Sequence, residues 1–187
     1  MTAGVAAAPA AKSRALIVLL IWFIVAAVLG PLLFTKLPFP APQIAVIALA
    51  VAATFGLRTW FDSLSWRVLV GMHALRLIGI VFLVLGARGI LAPAFASRAG
   101  WGDLVAALGA IGLAVAGPRP KWLVNAWNTF GLLDLIAAVG TATLVVRSGA
   151  APGVELLTKL PLNLVPTFFV PLFIASHVAV FRRVNGA

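Results

Sequence analysis

Ala15–Phe34, ALIVLLIWFIVAAVLGPLLF, is an apolar run without a single charge. Its length of about twenty residues is what a helix needs to cross ~30 Å of hydrocarbon. Comparable runs follow it along the chain, and Lys and Arg fall almost entirely between them. A chain of this kind has few alternatives. In lipid every backbone N–H and C=O must be satisfied internally, which helices achieve within one segment. Only 10% of the 187 residues are charged and 63% are apolar, whereas a soluble domain keeps about a quarter charged. Lipid is therefore the expected solvent for most of the surface. The expected fold is all-α, a polytopic membrane helix bundle. Six transmembrane helices are placed at about 15–34, 43–60, 68–87, 102–117, 122–146 and 161–181. They form one domain, 15–183, between a disordered cytoplasmic tail, 1–14, and a short cytoplasmic tail, 184–187.

The first run competes with a secretory signal, because Lys12 and Arg14 precede it. A signal has a shorter apolar region, 7–15 residues, followed by a small-residue cleavage site. This run is longer and ends at Gly30-Pro31, so it reads as a retained helix. Lys36–Pro42 is a Pro-rich turn, and Trp60 and Trp66 are interfacial anchors around the next short loop. Gly89–Gly100 reads as an interfacial connector, with the fourth helix opening at Gly102. No internal repeat of the kind that marks many transporter folds is present.

The net charge of +10 could suggest nucleic acid. The cations lie singly or in pairs between apolar runs, however, which is the pattern of topogenic loop charges and excludes a nucleic-acid stripe. With the N-terminus inside, one face collects Lys12, Arg14, Arg58, Arg67, Arg119, Lys121, Arg182 and Arg183. The other collects Lys36, Arg88, Arg98, Arg147 and Lys159, so both termini are expected in the cytoplasm. Cysteine is absent, which removes disulfides, thiolate metal sites and Cys nucleophiles.

An ionisable side chain inside hydrocarbon is costly and should face the bundle and a partner. His73, Arg76, Asp134 and His177 are such residues. At ~1.5 Å per residue, Arg76 lies roughly 13 Å and Asp134 about 15–18 Å from the cytoplasmic end, so the two can pair. His73 and His177 both lie about 8–9 Å inside that surface, on different helices, and Asn125 and Asn128 reach the same layer. His73 and Arg76, at i and i+3, share a helix face. On the last helix Asn163, Thr167 and His177 fall within about an 80° sector at the ideal helical period. Pro166 and Pro171 leave the carbonyls of Leu162 and Thr167 without helical donors, and in hydrocarbon those oxygens need other partners. Pro161 is expected at the helix start. Asp103 reads as a helix N-terminal charge complementing the dipole, and Gly71, Gly79, Gly86, Gly109 and Gly112 as sites of close helix contact.

The segments Trp127–Leu135 (WNTFGLLDL) and Leu160–His177, with Pro161, Pro166, Thr167 and Pro171, resemble a family of small bacterial integral inner-membrane proteins of unassigned function. The resemblance covers about the second half of the chain. It implies a bacterial plasma-membrane location and no catalytic residue.

Three functions compete. One is a small carrier or accessory protein with a polar intramembrane site of His73, Arg76, Asn125, Asn128, Asp134, Thr167 and His177, binding a small molecule or a proton. A second is a b-type haem protein with His73 and His177 as axial ligands and Arg67 or Arg182 near the propionates. The third is a structural or assembly partner whose polar groups only fix helix packing. The lipid bilayer is the expected environment, and a second copy of the chain, forming a homo-oligomer, is a candidate partner. No nucleophile elbow, Walker motif or metalloprotease motif supports an enzyme.

Overall fold

A computed structural model describes residues 7–117, 119–149 and 151–186. Among them the chain is helical, with no strand. The helices are α1 (Ala7–Lys36), α2 (Ala41–Gly56), α3 (Arg58–Ser63), α4 (Trp66–Ala87), α5 (Pro93–Ala116), α6 (Lys121–Ser148) and α7 (Val165–Asn185). A one-turn 3₁₀ helix, Glu155–Thr158, lies in the connection before α7. α1, α4, α5, α6 and α7 contain spans long and apolar enough to cross a membrane, and α2 is a shorter apolar helix. The protein is a membrane-embedded helix bundle.

Several boundaries differ from the sequence expectation. Helix α1 reaches back to Ala7, into the segment expected to be a tail, while Met1–Ala6 lie outside the described residues. Most of the expected connector Gly89–Gly100 is helical. Pro93 occupies the first turn of α5, after an extended Ala92; a proline there gives up an N–H that has no helical acceptor anyway. Arg98 consequently sits on α5 rather than in a loop. At the other end of the chain, Pro161 lies in a turn ahead of α7. Helices α6 and α7 both stop at a glycine with left-handed backbone, Gly149 at φ 63° and Gly186 at φ 76°, a conformation that favours glycine because it has no Cβ.

Helix α7 is the buried centre: 67% of its apolar window is inside the protein, against 17% for α1. It packs on α2 and α6, while α5 lies between α4 and α6. At one end, Arg182 donates to Asp62 at 2.9 Å and Asn125 to Asn185 at 3.1 Å, joining α3, α6 and the end of α7. At the opposite end, Ala92 N–H donates to Gly153 O at 3.0 Å. Two apolar clusters occupy these ends. Phe61, Leu69, Val70, Val124 and Val180 belong to the first, and Phe82, Leu91, Phe95, Val154 and Leu162 to the second. Between the clusters lies a polar layer.

The prolines explain how α1 is attached. Pro171 leaves Thr167 O without its helical donor, and Trp22 Nε1 of α1 supplies one at 3.0 Å. A second bond joins α1 to the turn before α7, beside the proline of α1. Pro31 frees Ala27 O, and Asn163 Nδ2 donates to Ala26 O at 2.9 Å while lying 3.5 Å from Ala27 O. Gly30 permits this approach, since a Cβ there would lie 2.7 Å from Asn163 Nδ2. Leu162 O, also freed by a proline, accepts from Val165 N–H at 3.0 Å.

Candidate functional site

The polar layer is built from four helices near their midpoints. His73 and Arg76 lie on a 3₁₀ stretch of α4, Met72–Ile78. At three residues per turn, i and i+3 stand directly one above the other. The two residues are 0% and 1% exposed. Asp103 comes from α5, Asn128 and Asp134 from α6, and Ser176 and His177 from α7.

Arg76 is the hub. Its Nε donates to Asp103 Oδ1 at 2.7 Å, its Nη2 to Asp134 Oδ2 at 2.5 Å and its Nη1 to Gly131 O at 3.0 Å. One guanidinium thus joins α4 to α5 and α6 with three donors. The Arg76–Asp134 contact expected from depth is present. Asp103 is a second carboxylate that the reading of the sequence assigned to a helix terminus. With α5 starting at Pro93, Asp103 is ten residues inside it, ~15 Å along the axis and level with Arg76. Pro93 as a first-turn proline was the signal that could have located it. Asp134 lies over the backbone of Gly102, where an added Cβ would collide with the carboxylate. The exposed Arg98, one turn earlier on α5, adds a positive field at Asp134.

The histidines meet on the other side of Arg76. Their ring centroids are 4.2 Å apart and the planes are tilted by 39°. His177 Nδ1 is 2.7 Å from Asn128 Oδ1, and Asn128 Nδ2 donates to His177 O at 2.9 Å. The amide oxygen can only accept, so Nδ1 of His177 carries the hydrogen. Ser176 Oγ donates to Phe173 O and lies 2.9 Å from His73 Nε2. Since that hydroxyl has one proton, His73 Nε2 is the donor to it. Each imidazole is left with a buried acceptor that has no partner among the described residues, His73 Nδ1 and His177 Nε2. A Cβ added at Gly131 would lie 2.6 Å from His177 Cε1 and 3.2 Å from Arg76 Nη1. Gly131 is therefore the point where the charged and imidazole halves converge.

His73, Arg76, Asn128, Asp134 and His177 form one connected layer. Asn125 and Thr167 stand apart from it. Asn125 is at the bundle end, paired with Asn185. Thr167 Oγ1 donates to Asn163 O at 2.6 Å, in the part of α7 that meets α1. The shared polar sector expected for Asn163, Thr167 and His177 does not form. Asn163 precedes the helix, and Val165–Phe169 is a π turn, which shifts the phase of every later residue. Ser176 is the other group that the sequence reading missed, and no motif distinguished it.

The imidazole geometry does not fit haem. Axial ligands approach iron edge-on from opposite faces of the porphyrin, whereas these rings lie against each other. Trp127 and Phe173 close the sides, each with its centroid 5.3 Å from that of His73. Arg182, a candidate propionate partner, is paired with Asp62. Among the described residues no group of three or more His, Cys, Asp or Glu could hold a metal ion.

Beside Asp103 lies a cavity of about 190 Å³. Its walls come from α2, α4, α5, α6 and α7, with Leu37 and Phe39 of the turn after α1 and Val154 and Leu157 of the last connection.

No curated protein and no solved structure matches the chain. A family model described as "Domain of unknown function (DUF8737)" matches residues 40–185, which hold α2 to α7 and every residue of the polar layer, and the chain belongs to that family.

Proposed function

We propose that this protein is a small carrier of the bacterial inner membrane, crossing it six times with both termini in the cytoplasm. The sixth crossing would be α2 together with α3, which precedes the Trp66 anchor. The excess of Lys and Arg beside α3, before α6 and at the end of α7 supports this orientation. A loose resemblance to small bacterial inner-membrane proteins supports the location.

The observation that carries the carrier reading is the buried guanidinium between two carboxylates. The one buried guanidinium balances one of the two carboxylates, and the exposed Arg98 acts on Asp134 only from outside the layer, which leaves one unit within it for a proton or another cation. A purely structural lock needs only a matched pair, and unpaired buried charge is costly. A site that gains and loses a cation within the membrane is the basic part of a carrier. The nitrogens of His73 and His177 that have no partner among the described residues supply proton acceptors in the same layer. Asp103 and Asp134 are the charge-carrying residues, Arg76 orients them, and Asn128 and Ser176 orient the histidines.

The test is flux. Purified protein in liposomes carrying an internal pH dye should show solute-linked proton movement, and Asp103→Asn and Asp134→Asn should each lower it at least tenfold. Liposomes that move no proton, ion or solute, with both variants differing from the native chain only in stability, would remove the carrier and leave an assembly role.

A further inference from the structure

The cavity beside Asp103 has mostly apolar walls with a few polar groups. Asp103 is its only charged lining residue among those described, and Gln43, Thr143 and Thr158 supply the other side-chain polar groups. Thr143 Oγ1 donates its hydrogen to Val139 O at 2.8 Å, and Thr158 Oγ1 donates to Glu155 O at 2.7 Å. Both hydroxyls are left with only acceptor capacity. Gln43 Oε1 is buried and has no partner among the described residues. Asp103 gives Oδ1 to Arg76, and its Oδ2 accepts no hydrogen bond among the described residues. Everything else at the wall is apolar, including Phe82, Phe95, Val139 and Val170. A ligand entering this space meets hydrocarbon along its length and, at its polar contacts, the acceptors of Thr143, Thr158 and Asp103 and the amide of Gln43, with Asp103 the one anion among the described residues.

We infer that the cavity is a binding site for a small lipophilic ammonium ion, with its N–H groups on Asp103 and its hydrocarbon against Phe82, Phe95, Val139 and Val170. Charge decides between candidates. An organic anion would add a second uncompensated negative charge beside Asp103 and Asp134. A neutral alcohol would fill the apolar part and leave the excess charge as it is. An ammonium supplies the missing positive charge and the donors together, and charge-assisted hydrogen bonds are about twice as strong as neutral ones. The volume limits the hydrocarbon to a short chain or single ring. The inference names the substrate class of the carrier site. It rests on that reading for the purpose of binding, while the binding chemistry stands on the cavity itself.

The experiment uses the full chain in detergent and three probes with the same six-carbon body: hexylammonium, hexanol and hexanoate. Binding is read from the ligand-dependent shift in unfolding temperature. Hexylammonium should bind at least tenfold more tightly than hexanol, and hexanoate more weakly than either. Asp103→Asn should remove the preference for the ammonium. Ala142→Phe, which puts a ring into the cavity from a position two turns along α6 from Asp134, should abolish binding of all three probes. Equal affinity for the three probes would overturn the inference and identify a general acyl-chain pocket. Hexylammonium binding that survives Ala142→Phe would also overturn it. If Asp103→Asn does not fold, the probe series and Ala142→Phe decide alone. Binding without liposome flux would keep the site and remove the carrier. Flux of another solute without hexylammonium binding would do the reverse.

Discussion

Arg76 gives three donors to two carboxylates and a carbonyl while 1% exposed, so its removal has a larger consequence than removal of either acid. Arg76→Met leaves two buried carboxylates facing each other, and breaking a buried charge pair costs about 3–5 kcal/mol. Asp103→Asn leaves a matched pair and should cost less. Unfolding of the two variants in detergent checks the order, and equal losses would show that Arg76 does not serve both acids. Gly131→Ala is the corresponding steric test. Its methyl group would lie 2.6 Å from His177 Cε1, and overpacking of this kind costs about 1–3 kcal/mol. The same substitution at Gly112, which has open space around it, should be nearly neutral.

At the scale of elements, α1 and α6 are the least buried long helices, and the Trp22 and Asn163 bonds beside the prolines hold α1 to α7 and the turn before it. Trp22→Phe keeps an aromatic ring beside Phe168 but removes the donor to Thr167 O. A buried acceptor left without a partner costs about 1–3 kcal/mol. Pro171→Ala returns an N–H at the helical position and should recover part of that loss in the Trp22→Phe background. A double-mutant cycle by unfolding measures the coupling, and strictly additive effects would show that Trp22 does not compensate for the proline. The same bond explains why Thr167 belongs to the α1–α7 contact and not to the charged layer. Its hydroxyl, the polarity visible in the sequence, stays within its own turn and donates to Asn163 O.

For the molecule as a whole, the absence of cysteine makes orientation measurable. Single cysteines at Asp62, Arg119 and Asn185 should react with a membrane-impermeant maleimide from one side, and those at Arg88 and Lys159 from the other. Labelling of Asp62 and Lys159 from the same side would overturn the six-crossing topology. The contacts that group the ends are weak: Asp62→Ala, which removes the exposed acid paired with Arg182, should cost about 0–1 kcal/mol. Stability should depend far more on the apolar clusters and on the polar layer between them.

Composition and run length determined that this chain lives in lipid as helices, because a backbone in hydrocarbon has so few ways to satisfy its hydrogen bonds. Depth along straight helices was enough to bring Arg76 to Asp134 and His73 to His177, since rise per residue changes little between sequences. Rotation about a helix was less legible. A π turn after Leu164 changed the face presented by later residues, and a helix beginning at Pro93 rather than Gly102 moved Asp103 from a terminus to the middle. Such shifts arise from packing, because each helix settles where its neighbours can satisfy the groups that its prolines and charges leave open. Lipid and helix were properties of the residues taken singly. The second carboxylate on Arg76, the paired imidazoles and the cavity beside Asp103 came from helices meeting at one depth, and only tertiary structure could decide them.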